Sequence, residues 1–143
     1  MPDPHSSNRA CALSRPPPTL HAGWATTQRD ANNRTYAELD HFPNGMKPVV
    51  DYVHSKGLSF GLYTCGGTQT CVGGRVGSMG FWTEDAESYA SWGVDWVKMD
   101  WCNNQGQEPK VAYAKMSAAL NATGRPIGER TQQLLENLCA PLT

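Results

Sequence analysis

Apolar residues first fall at helical spacing between Asn44 and Lys56. Met46, Val49, Val50 and Val53 occupy i, i+3, i+4 and i+7, which lays one apolar stripe along a helix. Pro48 lies in its first turn, where proline is tolerated, and Gly57 closes it. The pattern then changes. Leu58 to Tyr63 is a short, nearly continuous apolar run of strand length. Cys65 to Gly80 is rich in glycine and small polar residues and reads as a loop. Thr83 is placed to cap a helix, with Glu84 and Asp85 near its positive end. That helix runs to about Trp92 and stops at Gly93. Val94 to Met99 is a second apolar strand, followed by a polar loop from Asn103 to Gln107. Pro109 opens a helix in which Ala112, Met116, Ala119 and Leu120 form a stripe. Gly124 closes it, and Arg125-Pro126-Ile127 leads towards a further strand. Upstream, Trp24 to Asn33 reads as a strand end running into a polar loop.

Strands that alternate with helices predict an α/β fold with parallel strands joined by right-handed crossovers. Leu58 and Val94 are separated by about the length of one βα unit. A closed barrel of eight such units takes about 250 residues, and this chain has 143. The expectation is a partial (β/α)8 TIM barrel of roughly three to four βα units. Residues 1–20 carry Asp3, Arg9, Arg15 and the triplet Pro16-Pro17-Pro18, with no apolar core of signal-peptide type. They are expected to be a disordered extension, residues 21–128 the partial barrel, and residues 129–143 a separate tail. A short helix is expected in that tail around Gln132 to Leu138.

Composition narrows the function classes. The formal net charge is −1, from 12 basic and 13 acidic residues, with no arginine-rich run. Nucleic acid is therefore not an expected partner. No apolar stretch approaches the roughly 20 residues of a membrane-spanning helix, so no membrane partner is expected. Five cysteines leave at least one unpaired if the rest form disulfides. Asn33-Arg34-Thr35 and Asn121-Ala122-Thr123 are glycosylation tripeptides that matter only on a secretory route. Composition does not set an oligomeric state.

The candidate chemistry lies at the end of the second strand. Side chains alternate between faces on a strand. Trp96, Lys98 and Asp100 therefore share one face, and Val97 and Met99 the other. A lysine and a carboxylate at the C-terminal end of a buried parallel strand stand where βα barrels build active sites. A structural ion pair is the competing reading. Tyr63 ends the preceding strand, as a pocket residue or as a core aromatic. Cys65, Cys71 and Cys102 could be grouped as metal ligands. They lack close C-x2-4-C spacing and a neighbouring histidine, so no metal is expected there.

Several motifs stand in a fixed order along the chain: Gln28-Arg29-Asp30, Phe42-Pro43-Asn44-Gly45, Tyr52-Val53-His54-Ser55-Lys56-Gly57, Leu58-Ser59-Phe60-Gly61-Leu62-Tyr63, Cys71-Val72-Gly73-Gly74, Gly77-Ser78-Met79-Gly80-Phe81, Trp92-Gly93-Val94-Asp95, and Lys98-Met99-Asp100-Trp101-Cys102. From about Gly23 to Ile127 the chain resembles the α-galactosidases and α-N-acetylgalactosaminidases of glycoside hydrolase family 27. The resemblance implies that Asp100 is the catalytic nucleophile, forming a covalent glycosyl-enzyme during retaining hydrolysis of terminal α-linked galactose. It implies that Lys98 binds the sugar and that Tyr63 lines the pocket. Lys98 would also keep Asp100 ionised. The resemblance further implies a Cys71–Cys102 disulfide beside the pocket, an α-galactoside substrate and no cofactor. Its members are usually secreted, lysosomal or vacuolar.

The chain departs from the family pattern in places. His21 and Ala22 occupy positions where the family carries a sugar-binding Asp-Asp pair, and Cys65 stands where an acidic or small residue is common. The family's acid/base aspartate lies beyond the matched segment. After Ile127 the chain reads Gly128-Glu129-Arg130-Thr131 instead of the family's substrate-contacting Ser-Cys-Glu-Trp-Pro. The expectation is a truncated α-galactosidase-like hydrolase whose own turnover is negligible. The alternatives are an α-N-acetylgalactosaminidase or related α-glycosidase, and a non-catalytic fragment that binds carbohydrate or a partner.

Overall fold

The computed structural model describes residues 18–131. Its elements alternate: β1 (Thr19–Leu20), α1 (Lys47–Ser55), β2 (Gly61–Cys65), α2 (Trp82–Trp92), β3 (Trp96–Asp100), α3 (Pro109–Ala122) and β4 (Gly128–Thr131). The strands form one sheet in the order β1-β2-β3-β4, every pairing parallel. This is the expected α/β architecture, a partial barrel.

The core follows from strand alternation. Leu62, Val97 and Met99 cluster with Val50 of α1, Ala86 and Tyr89 of α2, and Ala112, Met116 and Leu120 of α3. One face of the sheet is therefore sealed by the helices. Tyr63, Lys98 and Asp100 belong to the opposite face, as alternation requires. Gly61 makes room on that face, because an added Cβ would collide with the Trp96 indole.

The boundaries differ from the sequence reading in instructive ways. Thr19 and Leu20, expected in the extension, pair with Gly61 and Leu62 to form β1, and at the expected strand end Trp24 lies in a bend, with Ala25 making an isolated antiparallel bridge to Ala37. The β2 ladder starts at Gly61 rather than Leu58. Leu58 is exposed, and the Phe60 N–H is taken by the Asp95 carboxylate at 2.7 Å instead of by a neighbouring strand. Thr83 does not cap α2. The cap position is Phe81, without a side-chain bond, and Thr83 is already inside the first turn. Asp85 in that turn instead binds Arg29. At the other end Gly93 adopts φ 86°, a left-handed helix stop that glycine meets without steric cost. The helix expected around Gln132 to Leu138, together with Cys11 and Cys139, lies outside the described residues.

Candidate active site

The register of β2 on β3 builds the site. Tyr63 lies beside Lys98, and Cys65 beside Asp100. Lys98 Nζ stands 3.6 Å from Asp100 Oδ1 and 5.8 Å from the centre of the Tyr63 ring. Burial, and then the charge of Asp100, push the Tyr63 hydroxyl well above its ordinary pKa, so it stays a protonated donor beside the carboxylate. Lys98 and Asp100 are largely but not wholly covered, at 18% and 24% side-chain exposure. That leaves both reachable by a ligand.

These three residues open on a cleft of about 460 Å³. Its other walls are His21, Ala22 and Gly23 after β1, and Val72, Gly73 and Arg75 after β2. Asp100 is the only carboxylate among the described residues that line it. The volume lies within the range of small-molecule sites. His21 and Ala22 therefore sit in the wall, where the resemblance expects sugar-binding carboxylates.

Two attachments hold this wall in place. Trp24, which is buried, donates its indole N–H to the Tyr63 carbonyl at 2.8 Å and packs edge-on against Trp92 and Tyr89. Arg75 donates to the Ala25 carbonyl at 2.8 Å and to Glu38 at 2.6 Å. This ties the segment after β2 to the segment after β1. Arg75 was not legible in the sequence, because its partners Ala25 and Glu38 lie far away along the chain. The paired glycines Gly73 and Gly74, both at positive φ, were the local hint that this segment turns sharply.

Cys71 and Cys102 form a disulfide with Cα atoms 5.1 Å apart. It joins the loop after β2 to the end of β3. Cys71 Sγ lies 3.9 Å from Asp100 Oδ2, so the cross-link borders the site. Cys65 is the free cysteine among the described residues, and it is buried. With two of the three sulfurs bonded to each other, the cysteine cluster does not form a metal site in this state.

Glu129 is a residue that sequence reading passed over. It pairs with Val97 in register, on the helix side of the sheet. Its Oε1 is buried without a hydrogen-bond partner, and burial raises its pKa to about 7. It is not among the residues lining the cleft.

Comparison with known proteins agrees with this architecture. A family model described as alpha galactosidase A matches residues 19–133. The chain is similar to an alpha-galactosidase A of Cellvibrio japonicus, with 51% identity over 100 residues, covering 70% of this chain and 24% of that protein. Its fold is similar to alpha-galactosidase I of Mortierella vinacea, at TM-score 0.72 and 40% identity, covering 76% of this chain and 28% of that one. It is also similar to an alpha-galactosidase of Saccharomyces cerevisiae solved with raffinose, at TM-score 0.73 and 37% identity, covering 79% and 26%. The chain thus spans about a quarter of the length of these relatives.

Proposed function

The chain belongs to the alpha galactosidase A family of glycoside hydrolases, and from that membership we propose that its cleft is the nucleophile side of a retaining α-galactosidase site. The observation that carries the reading is the convergence of Asp100, Lys98 and Tyr63 on one cleft at the C-terminal ends of parallel strands. Asp100 attacks the anomeric carbon of a terminal α-linked galactose. A carbon–oxygen bond forms to the carboxylate while the glycosidic bond breaks. Lys98, 3.6 Å from the Asp100 carboxylate, directs its ammonium donors to sugar hydroxyls. Tyr63 donates from the neighbouring strand, held beside Lys98 by the register. The reading uses no cofactor.

Retaining hydrolysis also needs a carboxyl group, about 5–5.5 Å from the nucleophile, that protonates the leaving oxygen. The described cleft offers Asp100 alone. A substrate whose leaving group departs without a proton isolates the step that this cleft supports. Incubation with α-galactosyl fluoride should add one hexose to the intact mass, located on the peptide carrying Asp100, and Asp100→Asn should abolish it. An adduct that survives in Asp100→Asn, or that forms on another residue, refutes the assignment. The single carboxylate also favours a second reading, sugar binding without hydrolysis. Calorimetric binding of galactose with no adduct would select it.

A further inference from the structure

Beside the cleft, a buried thiol hydrogen-bonds the backbone of a disulfide cysteine, and nothing in the reaction above uses that thiol. The Sγ atoms of Cys65, Cys71 and Cys102 lie within 4.8 Å of one another. Cys65 is fully buried. Its sulfur accepts the Cys102 N–H at 3.2 Å and donates to the Cys102 carbonyl at 3.2 Å. Both groups flank the Cys102 Cα, so the Cys65 sulfur already sits against the residue it would need to reach. Cys71 is different: it is exposed and belongs to the loop wall rather than to a strand.

We propose that Cys65, Cys71 and Cys102 form a thiol–disulfide exchange site, in which Cys65 attacks the Cys102 sulfur and releases Cys71. The Cys65 thiolate forms a bond to Cys102 Sγ, the Cys71–Cys102 bond breaks, and the electron pair leaves on Cys71. Cys71 takes up the proton that Cys65 gave up. The exchange conserves one disulfide and one thiol, so it needs neither oxidant nor reductant. Burial shields Cys65 from reagents in solution but not from the neighbouring disulfide.

The two pairings differ in what they hold. The Cys71–Cys102 bond fixes the far end of the loop that carries Val72, Gly73 and Arg75 of the cleft wall. A Cys65–Cys102 bond closes β2 directly onto the end of β3 and leaves Cys71 as a free thiol beside Asp100. The loop then keeps only its hydrogen bonds, among them Asn103 Nδ2 to the Gln69 and Thr70 carbonyls at 3.3 and 3.1 Å. The exchange thus couples the order of one cleft wall to the position of a single disulfide.

The test reads cysteine pairing rather than turnover, so its outcome is independent of the glycosidase reading. The full chain carrying Cys11→Ser and Cys139→Ser retains these three sulfurs. It is held in mildly alkaline buffer without added thiol or oxidant, quenched with acid, denatured and alkylated. The labelled positions are then located by tandem mass spectrometry. The expected result is label on both Cys65 and Cys71, with the Cys71 share growing during incubation and Cys102 unlabelled. Label on Cys65 alone overturns the proposal. Label spread equally over all three cysteines, as in a chain incubated in denaturant, overturns it as well. As a second arm, Cys71→Ser treated with oxidised glutathione should close a Cys65–Cys102 disulfide, and two persisting thiols would contradict the proposed reach.

Discussion

Arg29 grips the Asp85 carboxylate with both terminal nitrogens, at 2.6 and 2.9 Å, across 56 residues of sequence. The side chains are 9% and 2% exposed. The guanidinium also donates to the Gly77 carbonyl at 2.7 Å and lies 4.1 Å from the centre of the Phe81 ring. One arginine thus joins the segment after β1, the loop after β2 and the first turn of α2. Burial pushes the Asp85 pKa upward even against this partner. Removing one member of such a pair strands a buried charge and costs about 3–5 kcal/mol. Asp85→Ala and Arg29→Ala should each lower stability by that order in denaturant titrations. The double variant should lose much less than the two losses added together.

Acid should loosen the fold through Asp95. Burial alone would raise its pKa, but the Phe60 N–H, His54 and Arg125 outweigh burial and hold the carboxyl below its ordinary range. His54 Nε2 lies 2.7 Å from Oδ2, and Arg125 Nη2 lies 2.8 Å from Oδ1. A lowered folded pKa means that the ionised form stabilises the fold. That contribution is complete above the unfolded value of about 3.9 and is lost as pH falls through the folded value. Asp95→Asn should cost about 1.5–3 kcal/mol at neutral pH, through its charge-assisted bonds. It should also flatten the decline in melting temperature below about pH 4. An unchanged acid limb would place the dependence elsewhere.

Glu129 acts in the opposite sense. Its folded pKa of about 7 lies above the reference of 4.5, because burial penalises the carboxylate. The folded state therefore holds its proton more tightly than the unfolded state, and stability falls as pH rises from about 4.5 to 7. Glu129→Gln removes the ionisation while keeping the shape. The variant should gain on the order of 1–3 kcal/mol relative to the parent at pH 8 and about nothing at pH 4. Calorimetric melts at the two pH values measure the difference. Equal offsets at both would show that the carboxyl is solvated.

The alternation of apolar runs and stripes made the fold legible, because periodicity reports which face of each element is buried. Met46, Val50, Met116 and Leu120 were readable as core for that reason, and all are buried. Lys98 and Asp100 were readable as neighbours because strand period alone puts them on one face. The missed features depend on partners distant in sequence. Thr83 looked like a cap, but the helix begins at Trp82 and holds Thr83 inside its first turn, where Asp85 is engaged by Arg29. Leu58 looked like a strand residue, but Asp95 takes the Phe60 N–H two residues on and the ladder starts at Gly61. Thr19 and Leu20 carry too short a pattern to register as a strand, and only pairing with Gly61 and Leu62 defines them.

Gly67 should tolerate no side chain. A Cβ there would fall inside the contact radius of the Cys102 carbonyl oxygen, with the Asn103 carbonyl 2.5 Å away. Both obstacles are backbone, and the Thr68 N–H is already bonded to the Asn103 carbonyl at 3.1 Å, so neither can swing aside. Overpacking of this kind typically costs about 1–3 kcal/mol. Gly67→Ala should reach that range and separate the loop from the end of β3, seen as faster reduction of the Cys71–Cys102 disulfide by dithiothreitol. Reduction at the parent rate would show that the loop relaxes without moving the bridge.

Turnover should divide according to the leaving group. Asp100 provides the nucleophile, while the described cleft provides no second carboxyl to protonate a departing sugar oxygen or to activate water afterwards. Loss of such a group commonly costs about 10²–10⁴-fold in rate. An α-galactoside with an alkoxide leaving group should therefore show no turnover above background with this chain. An activated aryl α-galactoside should give a single burst of phenolate as the galactosyl-enzyme forms on Asp100 and then stalls. Azide needs no general base to attack that intermediate, so it should restart turnover and yield α-galactosyl azide with net retention. Lys98→Met should weaken the burst in the substrate-concentration dependence, and Asp100→Asn should remove it. Steady hydrolysis of the alkoxide substrate, insensitive to azide, would mean that a second carboxyl reaches the cleft and that the site is complete.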